Sequence, residues 1–151
     1  MADVVYDRFF SGQMAGGDDS ISLTGDKIMV MLLSGSYIAN QETHNHTGDV
    51  KGDEVFGTNY TGGGQELTSV TITTVGTAAA RTGVLDAPDI SWLASTITAS
   101  GCALYKSGTI SDPSSNPLIG FVDFTENKAS SAGTFTVQWD AGGILHFRQG
   151  S

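Results

Sequence analysis

The sequence predicts an all-β protein: a single β-sandwich of about seven to nine strands, with a long irregular excursion after the second strand. Three observations predict it. Phe135, Val137 and Trp139 alternate with Thr134, Thr136 and Gln138, the period of two that a half-buried strand requires. Twenty glycines, abundant threonine and serine, and only 15% charged residues favour short strands joined by turns. The 151 residues show no internal repeat, heptad or Pro-rich linker, so 1–151 reads as one domain whose core needs no disulfides. Strand order stays open between jelly-roll-like and immunoglobulin-like connections.

In chain order, Val4 to Phe10 fits a short strand or a helical turn ended by Ser11-Gly12-Gln13. Residues 1–12 thus form an amino-terminal arm that packs on its own sandwich or crosses to a neighbour. Met14 to Asp19 reads as a loop. Lys27 to Leu33 is too short for a confident helix and is apolar from Ile28 onward, which predicts a strand buried on both faces. Ser34-Gly35-Ser36 closes it. Residues 37–64 lack periodicity and are rich in acidic residues, histidine and glycine. An excursion longer than most connections in a compact domain is a candidate interaction loop. It carries a short strand around Asp53 to Phe56 and a sharp reversal at Gly62-Gly63-Gly64.

Glu66 to Val75 predicts a strand with Val70, Ile72 and Thr74 on one face, and Arg81 to Asp86 another, stopped by Ala87-Pro88. Ile90-Ser91-Trp92 and Ser95 to Lys106 follow. The latter is expected to carry Ile97, Ala99, Ala103 and Tyr105 on one side, with Ala99, Gly101 and Ala103 small enough to admit a facing sheet. Ser107 to Asn116 reads as a loop, Leu118 to Phe124 as a strand, and Glu126 to Ala132 as a polar turn. Gly133 to Trp139 and Ile144 to Phe147 read as a hairpin about Asp140-Ala141-Gly142-Gly143, because glycine accepts the positive φ of tight turns.

Sixteen acidic against seven basic residues give a formal charge of −9. That disfavours nucleic acid and anionic membranes as partners. It favours solubility and repulsion between free copies, or an acidic face matched to a basic partner. No basic start leads into a long apolar run, so no secretory signal is expected. The longest apolar run, Ile28 to Leu33, is far short of the roughly 20 residues that span a bilayer. Asn45-His46-Thr47 and Asn59-Tyr60-Thr61 are read as chance matches to the glycosylation sequon. Cys102, the one cysteine, is expected to be a reduced, buried thiol.

Chemistry is sparse. His44-Asn45-His46 on an extended segment would present both imidazoles on one side, where Glu42, Asp49 or Asp53 could complete a metal shell. An exposed polar loop is the plainer reading, and no metal is expected. Asp86, Asp89 and Asp123 could serve as paired carboxylates, but aspartate at strand ends also closes turns. There is no Gly-x-Ser-x-Gly elbow, Cys102 has no basic neighbour, and Gly62-Gly63-Gly64 lacks the Lys-Ser/Thr of a phosphate loop. The expectation is no enzyme and no cofactor. Trp92, Trp139, Phe121, Phe124 and Phe135 are core candidates. Contacts with another chain are expected from the arm (Tyr6, Phe9, Phe10) and the excursion (Tyr37, His44, His46, Phe56, Tyr60), since rigid amphipathic rings suit interfaces.

Several phrases carry a family resemblance. They are Val5-Tyr6-Asp7, Leu33-Ser34-Gly35-Ser36-Tyr37, Gln41-Glu42-Thr43-His44 and the run from Glu54 to Gly63. Ala103-Leu104-Tyr105-Lys106, Leu118-Ile119-Gly120 and Gly133 to Trp139 complete the set. In this order and spacing the chain resembles a family of small virion structural proteins of tailed bacteriophages and prophages. The resemblance spans almost the whole chain, is most specific at Glu54 to Gly63 and at the carboxy-terminal strands, and departs at Ala78-Ala79-Ala80 and Arg148 to Ser151. It implies a head decoration or cement protein, made in the host bacterial cytoplasm and bound to the capsid surface of the virion. Its implied partners are the major capsid protein and copies of itself, as a trimer or dimer. Two other roles fit the residues: a tail, neck or fibre-associated component, and a carbohydrate-binding β-sandwich for host attachment, with Trp92, Tyr37 or Tyr60 as a sugar platform.

Overall fold

A computed structural model describes residues 3–17, 20–78, 80–108 and 113–148. The fold is all-β and sandwich-like. Strands β1 (Val4–Val5), β2 (Lys27–Leu33), β3 (Gln65–Glu66), β4 (Thr71–Thr77), β5 (Ala80–Asp86), β6 (Ile90–Ser107), β7 (Leu118–Val137) and β8 (Leu145–Arg148) are joined by one helix, α1 (Asp7–Ala15). They form a five-stranded sheet in the order β1-β7-β6-β2-β3 and a three-stranded sheet in the order β4-β5-β8. Every neighbouring pair is antiparallel.

The continuous apolar run of β2 has a structural cause. Ile28, Val30 and Leu32 enter a core shared with Leu85 of β5 and Leu145 of β8. Met31 and Leu33 enter a second core with Tyr6, Tyr37, Val50, Tyr105 and Phe121. The larger sheet is therefore a middle layer, covered on one face by the smaller sheet together with Val55 and Tyr60 of the excursion, and on the other by the excursion's first part, which carries Tyr37 and Val50. A two-faced strand gains about 1.5–3 kcal/mol for each large aliphatic side chain buried, so alternation would forfeit half of that gain.

The amino-terminal arm resolves into both of its predicted forms. Val4 and Val5 pair with Phe121 and Gly120, and a helix follows directly. Asp7 lies in its first turn, where a carboxylate complements the helix dipole. The helix runs through Gly12, which is buried, and takes in Met14 and Ala15, where a loop was expected. It stops at Gly16, whose φ of 74° and N–H bond to the Gly12 carbonyl close the last turn. Asp18 and Asp19 lie outside the described residues.

Four other expectations are corrected. Glu66 to Val75 is two elements: β3 ends in the larger sheet and β4 begins in the smaller, with the chain crossing between them. Ile90 to Ser107 is one strand, as is Leu118 to Val137, so the polar stretch Glu126–Ala132 is exposed strand rather than turn. Gly133–Trp139 and Ile144–Phe147 are not a hairpin, because β7 pairs with β6 and β8 with β5. The turn itself exists, with Gly143 N–H donating to the Asp140 carbonyl at 2.9 Å, but it carries the chain from one sheet to the other. Periodicity identifies a strand without naming its neighbour.

Finally, Ile97 and Ala99 face the same core as Cys102 and Leu104, while Ala103 and Tyr105 face the other. The switch coincides with a bulge. Between Ala99↔Lys128 and Gly101↔Asp123, β6 advances two residues and β7 five, with Thr125 of β7 in the left-handed region at φ 66°, so the ladder is interrupted where the facing of β6 changes. The small residue at 101 serves its own sheet. A Cβ there would sit 2.5 Å from the ring of Phe121 on β7.

Candidate functional site

Residues 37–64 lie over the middle sheet and are pinned at both ends by buried polar contacts. At the first end, Tyr37 Oη lies 2.5 Å from Tyr6 Oη and 2.9 Å from His44 Nδ1. The Asn40 backbone N–H also donates to His44 Nδ1, at 3.3 Å. That nitrogen is therefore the acceptor, so Tyr37 donates to His44 and Tyr6 to Tyr37, and the His44 proton sits on Nε2. Burial pushes the Tyr6 phenol far above its ordinary range, with the Tyr37 bond adding to it. Burial likewise raises Tyr37. The chain Tyr6–Tyr37–His44 joins the arm to the excursion.

Asp49 organises the next turn. Its carboxylate accepts from the N–H groups of Asn45 at 2.9 Å and His46 at 3.0 Å. Desolvation alone would raise its pKa. The His46 and Asn45 backbone bonds, helped by the nearby His44 and His46, more than offset this and lower it. His46 and Asp49 cap the short 3₁₀ turn Thr47–Asp49 reciprocally. The chain is also tied to the strands beside it: Leu118 N–H donates to the Asn45 carbonyl at 3.0 Å, and Val55 N–H to the Leu32 carbonyl at 3.0 Å. The short strand expected around Asp53 to Phe56 is reduced to an isolated bridge between Glu54 and Leu33.

At the far end Glu54 is the hub. It accepts from Tyr60 Oη at 2.8 Å and from Gly63 N–H at 2.5 Å. Tyr60 Oη in turn accepts from Leu32 N–H at 3.0 Å, and Tyr105 Oη donates to the Gly63 carbonyl at 2.7 Å. Burial first, then the Glu54 charge, pushes the Tyr60 phenol far up. The same two causes take Tyr105 to about 12. Gly64 makes the reversal possible: its φ is +81°, and a Cβ there would lie 1.7 Å from the Val30 carbonyl oxygen.

The eight residues expected to contact another chain divide sharply. Tyr6, Phe9 and Tyr37 are buried within the subunit, and Tyr60 is partly buried with its ring 5.9 Å from that of Trp92. Phe9 packs on Phe147 at 5.1 Å. His44 and His46 are half-buried. Phe10 is 45% exposed and Phe56 is 92% exposed. The structure thus brings Tyr6, Tyr37 and His44 into one bonded chain, and leaves Phe10 and Phe56 at the surface. Ile38 and Leu93, 75% and 70% exposed, were not anticipated. Leu93 precedes Ala94, whose φ of 48° marks a bulge, and no sequence signal announces that outward turn. Asn59 Nδ2 donates to the Ala94 carbonyl at 2.9 Å, so the segments bearing Phe56 and Leu93 are fastened together.

A groove of about 670 Å³ runs beside β7, lined among others by Asp123, Phe124, Lys128, Gln138, Trp139 and Asp140. Its carboxylates serve turns: Asp123 accepts from Thr125 N–H at 2.9 Å and Asp140 from Gly142 N–H at 2.7 Å. Asp86 likewise accepts from the adjacent Ala87 N–H at 2.9 Å, whereas Asp89 accepts from Trp139 N–H at 2.9 Å and ties two distant segments together rather than closing a turn. Cys102 is buried, and burial drives its thiol pKa well up, away from the thiolate a nucleophile needs. Among the described residues no three His, Cys, Asp or Glu side chains are placed to hold a metal ion, and no helix is long and apolar enough to cross a membrane. Comparisons with known protein families, curated proteins and solved structures find no match.

Proposed function

We propose that this chain is a structural protein of a tailed-bacteriophage virion, a head decoration protein that binds the outer capsid lattice and stabilises it. The observation that carries the reading is Phe56. It stands 92% exposed on a segment whose flanks are fixed by the Glu54–Tyr60–Gly63 network, inside the Glu54 to Gly63 run where the sequence resemblance is most specific. A large apolar ring held out on a rigid frame suits docking, because little entropy is lost when it is covered. Burying one such side chain stabilises by about 1.5–3 kcal/mol, and a lattice repeats that increment at every site. The partner is the major capsid protein. The subunit is made in the host cytoplasm and resides on the capsid surface.

A sugar platform at Trp92, Tyr37 and Tyr60 has less support, since Trp92 and Tyr37 are buried and the Tyr60 hydroxyl is engaged. The deciding measurement is copy number in purified particles. Quantitative mass spectrometry is expected to give a simple fraction of the major capsid protein count. A value of about a dozen or fewer per particle would move the assignment to the tail or neck, because an icosahedral lattice offers many equivalent sites.

A further inference from the structure

We infer that β4 is a self-pairing edge: two copies of this chain join antiparallel along Thr71–Thr77 about a two-fold axis at Thr74. All seven residues of β4 are exposed. Thr-Ile-Thr-Thr-Val-Gly-Thr carries no charge and no proline, and six of its seven residues are β-branched. Natural edge strands are ordinarily guarded by lysine, proline, a short length or a covering element; none of these guards β4. The tip of the β4–β5 hairpin reaches beyond β8, which pairs only with Thr82–Leu85 of β5, and Ala80 and Arg81 there are exposed. Two strands alone are marginal in water, so another strand on the open side of β4 supports that tip.

The occupant follows from length and charge. Among the described residues the other sheet edges are β1 and β3, two residues each, and β8, four. Only another β4 offers a matching row of backbone groups. The chain carries −9, so two copies repel over most of their surfaces, and an uncharged strand is where they can touch. A two-fold axis perpendicular to the sheet keeps opposed side chains on one face only if residue numbers pair with an even sum. Full overlap then sets Thr74 against Thr74, Thr73 against Val75 and Ile72 against Gly76. The smaller sheets fuse into one of six strands, β8-β5-β4-β4-β5-β8, which consumes the edge and closes the assembly as a dimer.

Thr74→Lys and Thr74→Glu test this by sedimentation velocity from about 5 to 500 µM, a range suited to a small interface. The wild-type chain is expected to dimerise with rising concentration. Each variant is expected to weaken the dimer about fivefold, because like charges then meet on the axis. An equimolar mixture of the two should dimerise at least as well as wild type. Thr74→Lys also lowers the net negative charge, so general repulsion predicts strengthening where edge pairing predicts weakening. A wild-type chain monomeric throughout, a dimer indifferent to both variants, or a mixture that stays monomeric would each overturn the inference. Should either variant fail to fold, Thr74→Cys replaces it. Opposed Cα atoms 4.5–5.5 Å apart accept a disulfide, so oxidation should trap a covalent dimer, and its absence would overturn the pairing.

Discussion

At the residue scale, single polar atoms hold the excursion where packing alone would not. Tyr60 Oη both receives the Leu32 N–H and donates to Glu54, so Tyr60→Phe removes two bonds, strands a backbone donor and leaves the Glu54 carboxylate only the Gly63 N–H. The expected loss is about 1–3 kcal/mol in urea melts, with faster amide exchange at Leu32. Gly64→Ala should be worse. It places a methyl group on the Val30 carbonyl and forces an L-residue to φ +81°, so the variant is expected to lose more than about 2 kcal/mol or fail to fold. Asp49 supplies the pH dependence. Its folded pKa lies below the ordinary value, so its contribution is complete above about pH 4 and fades as pH falls through the folded pKa. Asp49→Asn should flatten the stability curve below about pH 4 while leaving its slope near pH 7 unchanged.

At the scale of elements, the arm is structural before it is anything else. Tyr6 is fully buried, Phe9 nearly so, and Val4–Val5 complete an edge of the larger sheet. Deleting residues 1–10 is therefore expected to destabilise the domain by several kcal/mol, as loss of a buried aromatic costs about 3–5 kcal/mol, and thermal melting would show it. Phe10→Ser, by contrast, removes a half-exposed ring and should leave the melting temperature nearly unchanged. The contrast shows what the sequence could reveal. The two-faced burial of β2 was legible because no polar residue interrupts Ile28 to Leu33. The strand halves of β6 and β7 were legible too, but the bulges joining them were not, because Ala94 and Thr125 adopt positive φ without the glycine that normally signals it. Among site residues, Phe56 was legible as a contact candidate. Tyr6 and Tyr37 stand in sequence as candidates for contact with another chain, and their mutual bond was not legible because a tyrosine hydroxyl satisfied by another tyrosine leaves no trace in spacing.

At the scale of the whole molecule, three layers share one sheet, and the −9 charge surrounds them. Salt screens such repulsion over about 10 Å at 0.1 M. Raising salt from 0.05 to about 0.5 M is thus expected to strengthen association between copies, measurable as a rising sedimentation coefficient, whereas an interface built on opposite charges would weaken. The layering also explains why the excursion can be irregular yet ordered: its first part covers the second core, and Val55 and Tyr60 pack into the first.

The crossing of the chain between sheets bears on biosynthesis. Because β8 closes the smaller sheet on β5, a nascent chain still lacking residues 145–148 presents the β4–β5 ribbon with both of its rims bare. Ribosomes crowded on one message would hold such ribbons close together, a setting for premature sticking. Chains truncated before Leu145 should accordingly collect in the insoluble fraction, and those also carrying Thr74→Lys should be partly rescued.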